Sequence, residues 1–394
     1  MALSPYVAGI PDSLTLAVTA RAKAMKAAGR DVVSFGAGEP HIDTPDHIKA
    51  AAVAAIAAGV TKYTPASGTP ELKAALVEKF RRDNGLEFAA KEVLVANGGK
   101  QAVAEAVAAV AGPGDEVLIP TPSWHSYPEM ARAVGAVPVT VATGEENDFR
   151  ITPDELRRAI TPRTRAFVFC SPSNPTGSVY TATELEALGE ALAGSGAYVI
   201  SDEIYEKLLY DGRRHVSIAQ VCPQLRDRII ICHGVSKTYA MTGWRIGFAA
   251  GPAEVIGAMG RLQSHTSGNA CSISQAAAVA ALTGDHGFLA GWLAAYDERR
   301  RRMVDLVNDI PGMRARMPGG AFYVLANAGG LMGREIGGRK AAESLGLAEA
   351  LLEAADVALV PGVVFGAEGY VRLSYACSMG DIEKGLGRLA KLLQ

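Results

Sequence analysis

Cysteine is sparse and scattered in this chain, with five residues among 394: Cys170, Cys222, Cys232, Cys271 and Cys377. No two stand at Cys-x-x-Cys spacing, which excludes a zinc knuckle or redox dithiol of that pattern. No metal centre is expected, and the reducing cytoplasm is the expected compartment. Long apolar runs are missing too. None approaches the ~20 residues that cross a bilayer, and Met1-Ala2-Leu3-Ser4-Pro5 lacks the pattern of a secretory signal. Charge of one sign is also absent: 39 Lys and Arg stand against 41 Asp and Glu. Neither a nucleic-acid footprint nor a polybasic membrane patch is expected from that balance. The run Arg299-Arg300-Arg301-Arg302 follows Tyr296-Asp297-Glu298 in a helical pattern and reads as a solvated helix face.

What is present is ordinary for a globular protein, with 49% hydrophobic and 20% charged residues. The length exceeds one typical core, so two domains are expected. Ala-rich amphipathic segments alternate with short β-branched runs. Pro45 to Ala58 reads as a helix capped by Thr44, and Thr69-Pro70-Glu71 opens another that stops at Asn84-Gly85. Gly98-Gly99 leads into a helix from Ala102 to Val110. Strands are expected at Glu92–Val95, Glu116–Pro120, Ala136–Val141, Ala166–Cys170, Ala197–Ser201 and Arg228–Cys232.

Strands separated by helices imply right-handed crossovers and a mostly parallel α/β sheet covered on both faces. Its functional loops lie at the carboxyl ends of the strands. After Asp285 a long helix, Gly287 to Ile310, precedes strands near Gly320–Leu325, Val357–Val360 and Tyr370–Ser374, the texture of a smaller α+β domain. The expected division is an N-terminal segment 1–44, a large domain 45–285 and a small domain 286–394.

Four strand ends carry unusual chemistry. Lys237, in Ser236-Lys237-Thr238, follows the run ending at Val235. Alone it reads as a solvated strand end, but burial or a neighbouring cation would free its amine as a nucleophile suited to a Schiff base. Asn174 lies in Ser171-Pro172-Ser173-Asn174-Pro175-Thr176-Gly177, where prolines fix the backbone. Asp202 and Tyr205 follow the strand ending at Ile200, where Asp202 reads equally as a helix cap. Gly98-Gly99-Lys100-Gln101 offers backbone N–H groups at a helix start, an anion cup without the remaining residues of a nucleotide loop. Trp124 presents a broad ring after a fourth strand, where core packing is its commoner use.

The linked set Asn174-Pro175-Thr176-Gly177, Asp202-Glu203-Ile204-Tyr205, Ser236-Lys237 and Gly243-Trp244-Arg245 resembles the fold-type I aminotransferases, in the class I/II group that includes aspartate aminotransferase. The resemblance runs from Phe35-Gly36-Ala37-Gly38-Glu39-Pro40 to Val371-Arg372-Leu373-Ser374. It implies a seven-stranded type of sheet, and pyridoxal 5′-phosphate joined to Lys237 as a Schiff base, with Lys237 later moving the proton at the substrate's Cα. Asp202 would pair with the pyridine nitrogen, Asn174 and Tyr205 with the phenolic oxygen, and Trp124 would stack on the ring. Gly99, Lys100, Ser236 and Arg245 would hold the phosphate, joined by Tyr63 from the partner subunit of a homodimer. Arg372 would grip the substrate's α-carboxylate, helped by Gly38, with Trp124 and Asn174 also facing the substrate.

The implied reaction is ping-pong transfer of an amino group, with aspartate and 2-oxoglutarate as first substrates. An aromatic or broad-range aminotransferase, or a pyridoxal-phosphate-dependent lyase or cyclase, is the alternative. A DNA-binding regulator on this scaffold is disfavoured, because no helix-turn-helix pattern precedes the Gly-Glu-Pro segment. Two departures from the family stand out: Gly234 where a phosphate-binding hydroxyl is common, and His41 where acidic or amide residues are. The candidate readers of the substrate side chain are Ser13, Thr15, His41 and Arg261.

Overall fold

A computed structural model describes residues 14–394. Seven strands form the main sheet: β1 (Val93–Ala96), β2 (Glu116–Thr121), β3 (Val137–Ala142), β4 (Thr164–Cys170), β5 (Tyr198–Asp202), β6 (Ile229–Gly234) and β7 (Gly247–Ala250). Their spatial order is β1-β7-β6-β5-β4-β2-β3. β2 to β6 run parallel, while β7 is antiparallel to both β1 and β6. β7 carries two glycines in its neighbourhood, Gly247 and Gly251, and a weak strand pattern hid it from the sequence reading.

Alternate residues of each strand feed two separate cores, as a sheet covered on both faces requires. Leu94, Ile119, Val168, Ile200 and Ile230 pack on one side. Val95, Leu118, Phe167, Val199 and Ile231 pack on the other. The edge strand β3 is the exception, with Val137 half exposed at 51%. No helix among the described residues is long and apolar enough to cross a membrane.

The helix Pro70–Asn84 forms where its signals place it: Thr69 accepts from Leu72 N–H and Gly85 closes the end at φ 61°. The helix Asp46–Ala57 differs. Thr44 does not cap it; its hydroxyl donates to Ala240 O at 2.7 Å and accepts from Trp244 Nε1 at 3.1 Å. That hydroxyl instead ties the chain entering the sheet domain to the loop that carries Lys237.

A second, antiparallel sheet contains Tyr323–Asn327 between Tyr370–Ser374 and the short strand Arg314–Ala315, with Val360–Pro361 at the far edge. Val33–Ser34 pairs with Val357–Ala358. The helices Phe288–Asn308 and Met379–Leu393 pack with it, and Arg300 on the first of them is completely buried. The basic run is therefore not a uniformly solvated face. Arg300 donates to both carboxylate oxygens of Asp211 at 2.8 and 2.9 Å, to Asp297 and to Pro318 O, and lies 4.5 Å from the Tyr210 ring. It joins the long helix to the loop that follows Tyr205. Arg300→Ala is expected to destabilise by about 2 kcal/mol, below the 3–5 of a fully buried pair because both aspartates keep contact with water. A thermal midpoint equal to the parent's would rule out this joint.

A buried ionic group lies under β5. Lys79 donates to Glu206 at 2.6 Å and Asn84 at 2.8 Å, while His215 meets Glu203 at 2.8 Å. Ligand atoms of Glu203, Glu206 and His215 fall within 4.8 Å of one another. The ammonium of Lys79 already offsets the Glu206 charge, so this group reads as an internal ion-pair network.

Candidate active site

The carboxyl ends of β2, β4, β5 and β6 open into one cavity of about 630 Å³. Lys237, Asp202, Tyr205, Asn174, Trp124 and Arg372 all line it, as do Gly38, Gly99, Lys100, Ser236 and Arg245. Eleven of the twelve residues that the resemblance assigns to cofactor, proton transfer or the α-carboxylate thus meet in one place. Tyr63 does not line it and is 99% exposed.

Lys237 stands three residues beyond Gly234, where β6 ends in a turn. Its amine donates to Gly38 O and lies about 6 Å from the rings of Tyr205 and Phe322. Burial lowers its pKa to about 8, against the pull of Glu39 and with the help of Arg372 and Arg245. Neutral amine is thereby accessible near physiological pH.

Asp202 closes β5 and is buried. Its carboxylate accepts from Tyr127 Oη at 2.7 Å and from Ile204 N–H at 3.2 Å, so it is held by a side chain as well as by its own turn. Burial raises its pKa and Tyr127 opposes that shift. It forms no ion pair among the described residues, which leaves a buried carboxylate suited to a cationic N–H. Tyr127 was missed from sequence. Its signal is periodicity: three residues past Trp124 on the following helix, Ser126–Ala133, it faces the same way.

Arg372 lies on the strand Tyr370–Ser374, 3% exposed. Its guanidinium donates to Asn174 Oδ1 and Gly36 O, each at 2.9 Å. Tyr323 and Phe365 lie 4.4 and 5.0 Å from its central carbon. No carboxylate pairs with it among the described residues, and its buried Nε has no hydrogen-bond partner there. An unneutralised buried cation facing a cavity is an anion site in waiting. Tyr323, the second residue missed from sequence, also bonds Tyr205 hydroxyl to hydroxyl at 2.8 Å.

The anion cup is built by close backbone approach. Gly98 has φ 90°, and a Cβ there would lie 2.2 Å from Arg245 Nη2. Arg245 itself sits at φ 55° and donates to Thr242 O at 2.7 Å. At Gly234 a Cβ would come within 2.9 Å of Ile246 O and 3.1 Å of Ile204. A hydroxyl-bearing residue does not fit there, which explains the departure noted above. Lys100, second residue of the helix Gly99–Val110, reaches over Trp124, its amine 5.1 Å from the ring. His125 lines the same wall; burial, Lys100 and Arg372 hold its pKa down at about 4, so its imidazole is neutral.

The side-chain readers proposed from sequence fare differently. His41 bonds Arg299 at 2.8 Å and packs edge-on to Tyr296, away from the cavity lining. Arg261 lies on the helix Ala253–Thr266 and does not line the cavity either. Ser13 and the side chain of Thr15 lie outside the described residues.

Residues 30–389 match the family described as aminotransferase class I and II. Aspartate aminotransferase of Streptomyces avermitilis is 47% identical over 99% of this chain and 96% of its own length. Aspartate/prephenate aminotransferase of Cereibacter sphaeroides is 48% identical over 98% and 97%. Among solved structures, aspartate aminotransferase from Thermus thermophilus with maleate superposes with TM-score 0.94 at 44% identity, covering 100% of both chains. The Rhizobium meliloti aspartate aminotransferase gives 0.96 at 43%, covering 100% of this chain and 99% of its own.

Proposed function

The chain belongs to the class I and II aminotransferase family, and on that premise we propose that it exchanges the amino group of L-aspartate with 2-oxoglutarate in a ping-pong cycle. The observation that carries this reading is the shared cavity of Lys237, Asp202 and the unpaired Arg372.

The residues present fit pyridoxal 5′-phosphate. The backbone cup at Gly98-Gly99, which a Cβ at Gly98 would block, suits a phosphate, and Ser236 and Arg245 flank it. The Lys100 backbone would join them. Asp202, buried without a cation, suits a protonated ring nitrogen. Asn174 gives its carbonyl oxygen to Arg372, so its amide N–H groups remain for a phenolic oxygen, beside the Tyr205 hydroxyl. Trp124 offers a face for the ring. When bound, this cofactor supplies an electron sink for the pair left by a broken Cα–H bond.

The chain's own groups do the rest. Lys237 Nζ takes the proton from the substrate's Cα and in the reverse half-reaction returns it there; an amine near pKa 8 is suited to both. Asp202, fixed by Tyr127, keeps a proton on the ring nitrogen. Arg372 fixes the α-carboxylate and so aims the Cα–H bond. The neutral His125 does not compete as a base with Lys237, since its basicity is far lower at pKa about 4.

A second carboxylate needs a second cation. With His41 and Arg261 off the cavity, Lys100 is the side chain on the Trp124 wall able to serve; it has no ion pair among the described residues. Lys100→Met is expected to raise KM for aspartate about 10- to 100-fold, equivalent to a charge-assisted hydrogen bond of about 1.5–3 kcal/mol, while phenylalanine kinetics change little. Equal changes for both amino acids would remove Lys100 from this role. The reaction type is tested by adding aspartate alone to the cofactor-loaded enzyme. A stable shift to the pyridoxamine spectrum supports transamination, whereas return of the starting spectrum with loss of substrate supports a lyase.

The helix Asp46–Ala57 and the turn after it expose Val53, Ile56 and Val60 at 66, 57 and 40%, beside the fully exposed Tyr63. These apolar residues support a homodimer in which Tyr63 completes the phosphate site of the partner.

A further inference from the structure

Six basic side chains line the cavity against two carboxylates, Glu39 and Asp202. Four of the six have work in the reading above: Lys237 at Cα, Arg245 at phosphate, and Arg372 and Lys100 at the two substrate carboxylates. Lys23 and Lys26 are left over. Both belong to the helix Leu14–Ala27, which carries no acidic residue in its sequence.

The helix divides its cations by face. Arg21 pairs with Glu353, and just past the helix Arg30 pairs with Glu353 and Asp356. Ala22, 2% exposed, packs with Leu352 and Ala358. These contacts lock the helix onto the helix Ser344–Ala355 and the short strand Val357–Ala358 that follows it. Lys23 and Lys26, three residues apart and so on one stripe, are exposed at the cavity lining and form no ion pair among the described residues. Arg21 and Arg30 take up the nearby carboxylates of Glu353 and Asp356, which leaves the charge of Lys23 and Lys26 at the cavity.

We propose that Lys23 and Lys26 form a cationic collar that gathers dicarboxylate substrates at the cavity mouth and so selects them by charge before they reach Arg372 and Lys100. A cleft walled by low-dielectric protein and rimmed by one sign of charge raises the local concentration of counter-charged ligand. A dianion feels twice the potential of a monoanion, so the collar favours 2-oxoglutarate over monocarboxylic 2-oxo acids. It acts on capture and leaves the chemical step alone. The proposal rests on the aminotransferase reading.

The test compares the cofactor-loaded parent with the double variants Lys23→Gln/Lys26→Gln and Lys23→Glu/Lys26→Glu, using 2-oxoglutarate and pyruvate as acceptors over a range of salt. At low salt the glutamate pair is expected to lose about tenfold in kcat/KM for 2-oxoglutarate, in the range of steering effects. The glutamine pair loses less, pyruvate is affected less than 2-oxoglutarate, and kcat is unchanged. The differences should fade toward 1 M salt, where the Debye length falls to about 3 Å. Losses that ignore salt, that are equal for the two acceptors, or that appear in kcat would overturn the collar. The nearly isosteric glutamine pair keeps the test valid if charge reversal disturbs the fold. A parent enzyme that fails to convert its cofactor spectrum with aspartate alone would strike the aminotransferase reading instead.

Discussion

Lys237→Ala is expected to abolish multiple turnover, with kcat falling by at least about 10⁴, the upper range for removal of a positioned acid–base group. In the proposed mechanism the amine has two tasks that no neighbour can assume, as the nucleophile in the cavity and as the base at Cα. His125 is too weak a base, and Lys100 leans away over Trp124. At pH 7 an amine of pKa about 8 is neutral about one time in ten, roughly 200 times more often than an unperturbed lysine. The reactivity of the cofactor-free chain toward pyridoxal phosphate should therefore rise with pH through a midpoint near 8 instead of about 10.4. The same shift acts on folding. The folded-state pKa lies below the unfolded value, so the buried charge costs stability in full below about pH 8, and the cost fades as pH climbs from about 8 to about 10. Lys237→Met in the cofactor-free chain is accordingly expected to melt higher than the parent at pH 7, with the gap closing in alkali. Continued transamination by Lys237→Ala, or borohydride-fixed cofactor on a different peptide, would refute the assignment.

The strand ends were legible because each combines a hydrophobic run with a residue that does not belong in a core: Asp202 after Val199-Ile200-Ser201, Lys237 shortly after Ile229-Ile230-Ile231-Cys232. Local pattern also located the helix Pro70–Asn84 and the parallel strands to within a residue or two. What escaped were relations across distance. Tyr127 and Tyr323 read as core aromatics, and only the fold brings one hydroxyl to Asp202 and the other to Tyr205. Arg300 looked like its three basic neighbours, since helix position alone decides which of four consecutive arginines turns inward. Lys100 was expected to act through its backbone, and the reach of its side chain over Trp124 depends on the packing of two separate strand ends. The candidate side-chain readers His41 and Arg261 do not line the cavity of this chain for the same reason: a charge near the right loop in sequence need not face the cavity.

Arg372→Ala should weaken aspartate and 2-oxoglutarate alike by about 2–5 kcal/mol in kcat/KM, the cost of removing one partner of a desolvated charge pair. The geometry argues for the full range. Two protein acceptors, Asn174 Oδ1 and Gly36 O, and two flanking rings already fix the plane of the guanidinium. Of its five N–H donors, those two contacts use only two, which leaves Nε and further Nη hydrogens for a carboxylate fork. A lysine at this position would keep the charge yet lose the fork, so Arg372→Lys is expected to recover only part of the loss. Stability supplies the control. A buried cation without a counter-charge is a burden on folding, and its removal should leave the thermal midpoint of the ligand-free chain unchanged or higher. A large drop in melting temperature would mean that Arg372 mainly braces Asn174 and Gly36. Unaltered substrate kinetics in a well-folded Arg372→Ala variant would show that the α-carboxylate is held elsewhere. Low affinity combined with undiminished stability is the signature of a charge kept for its ligand.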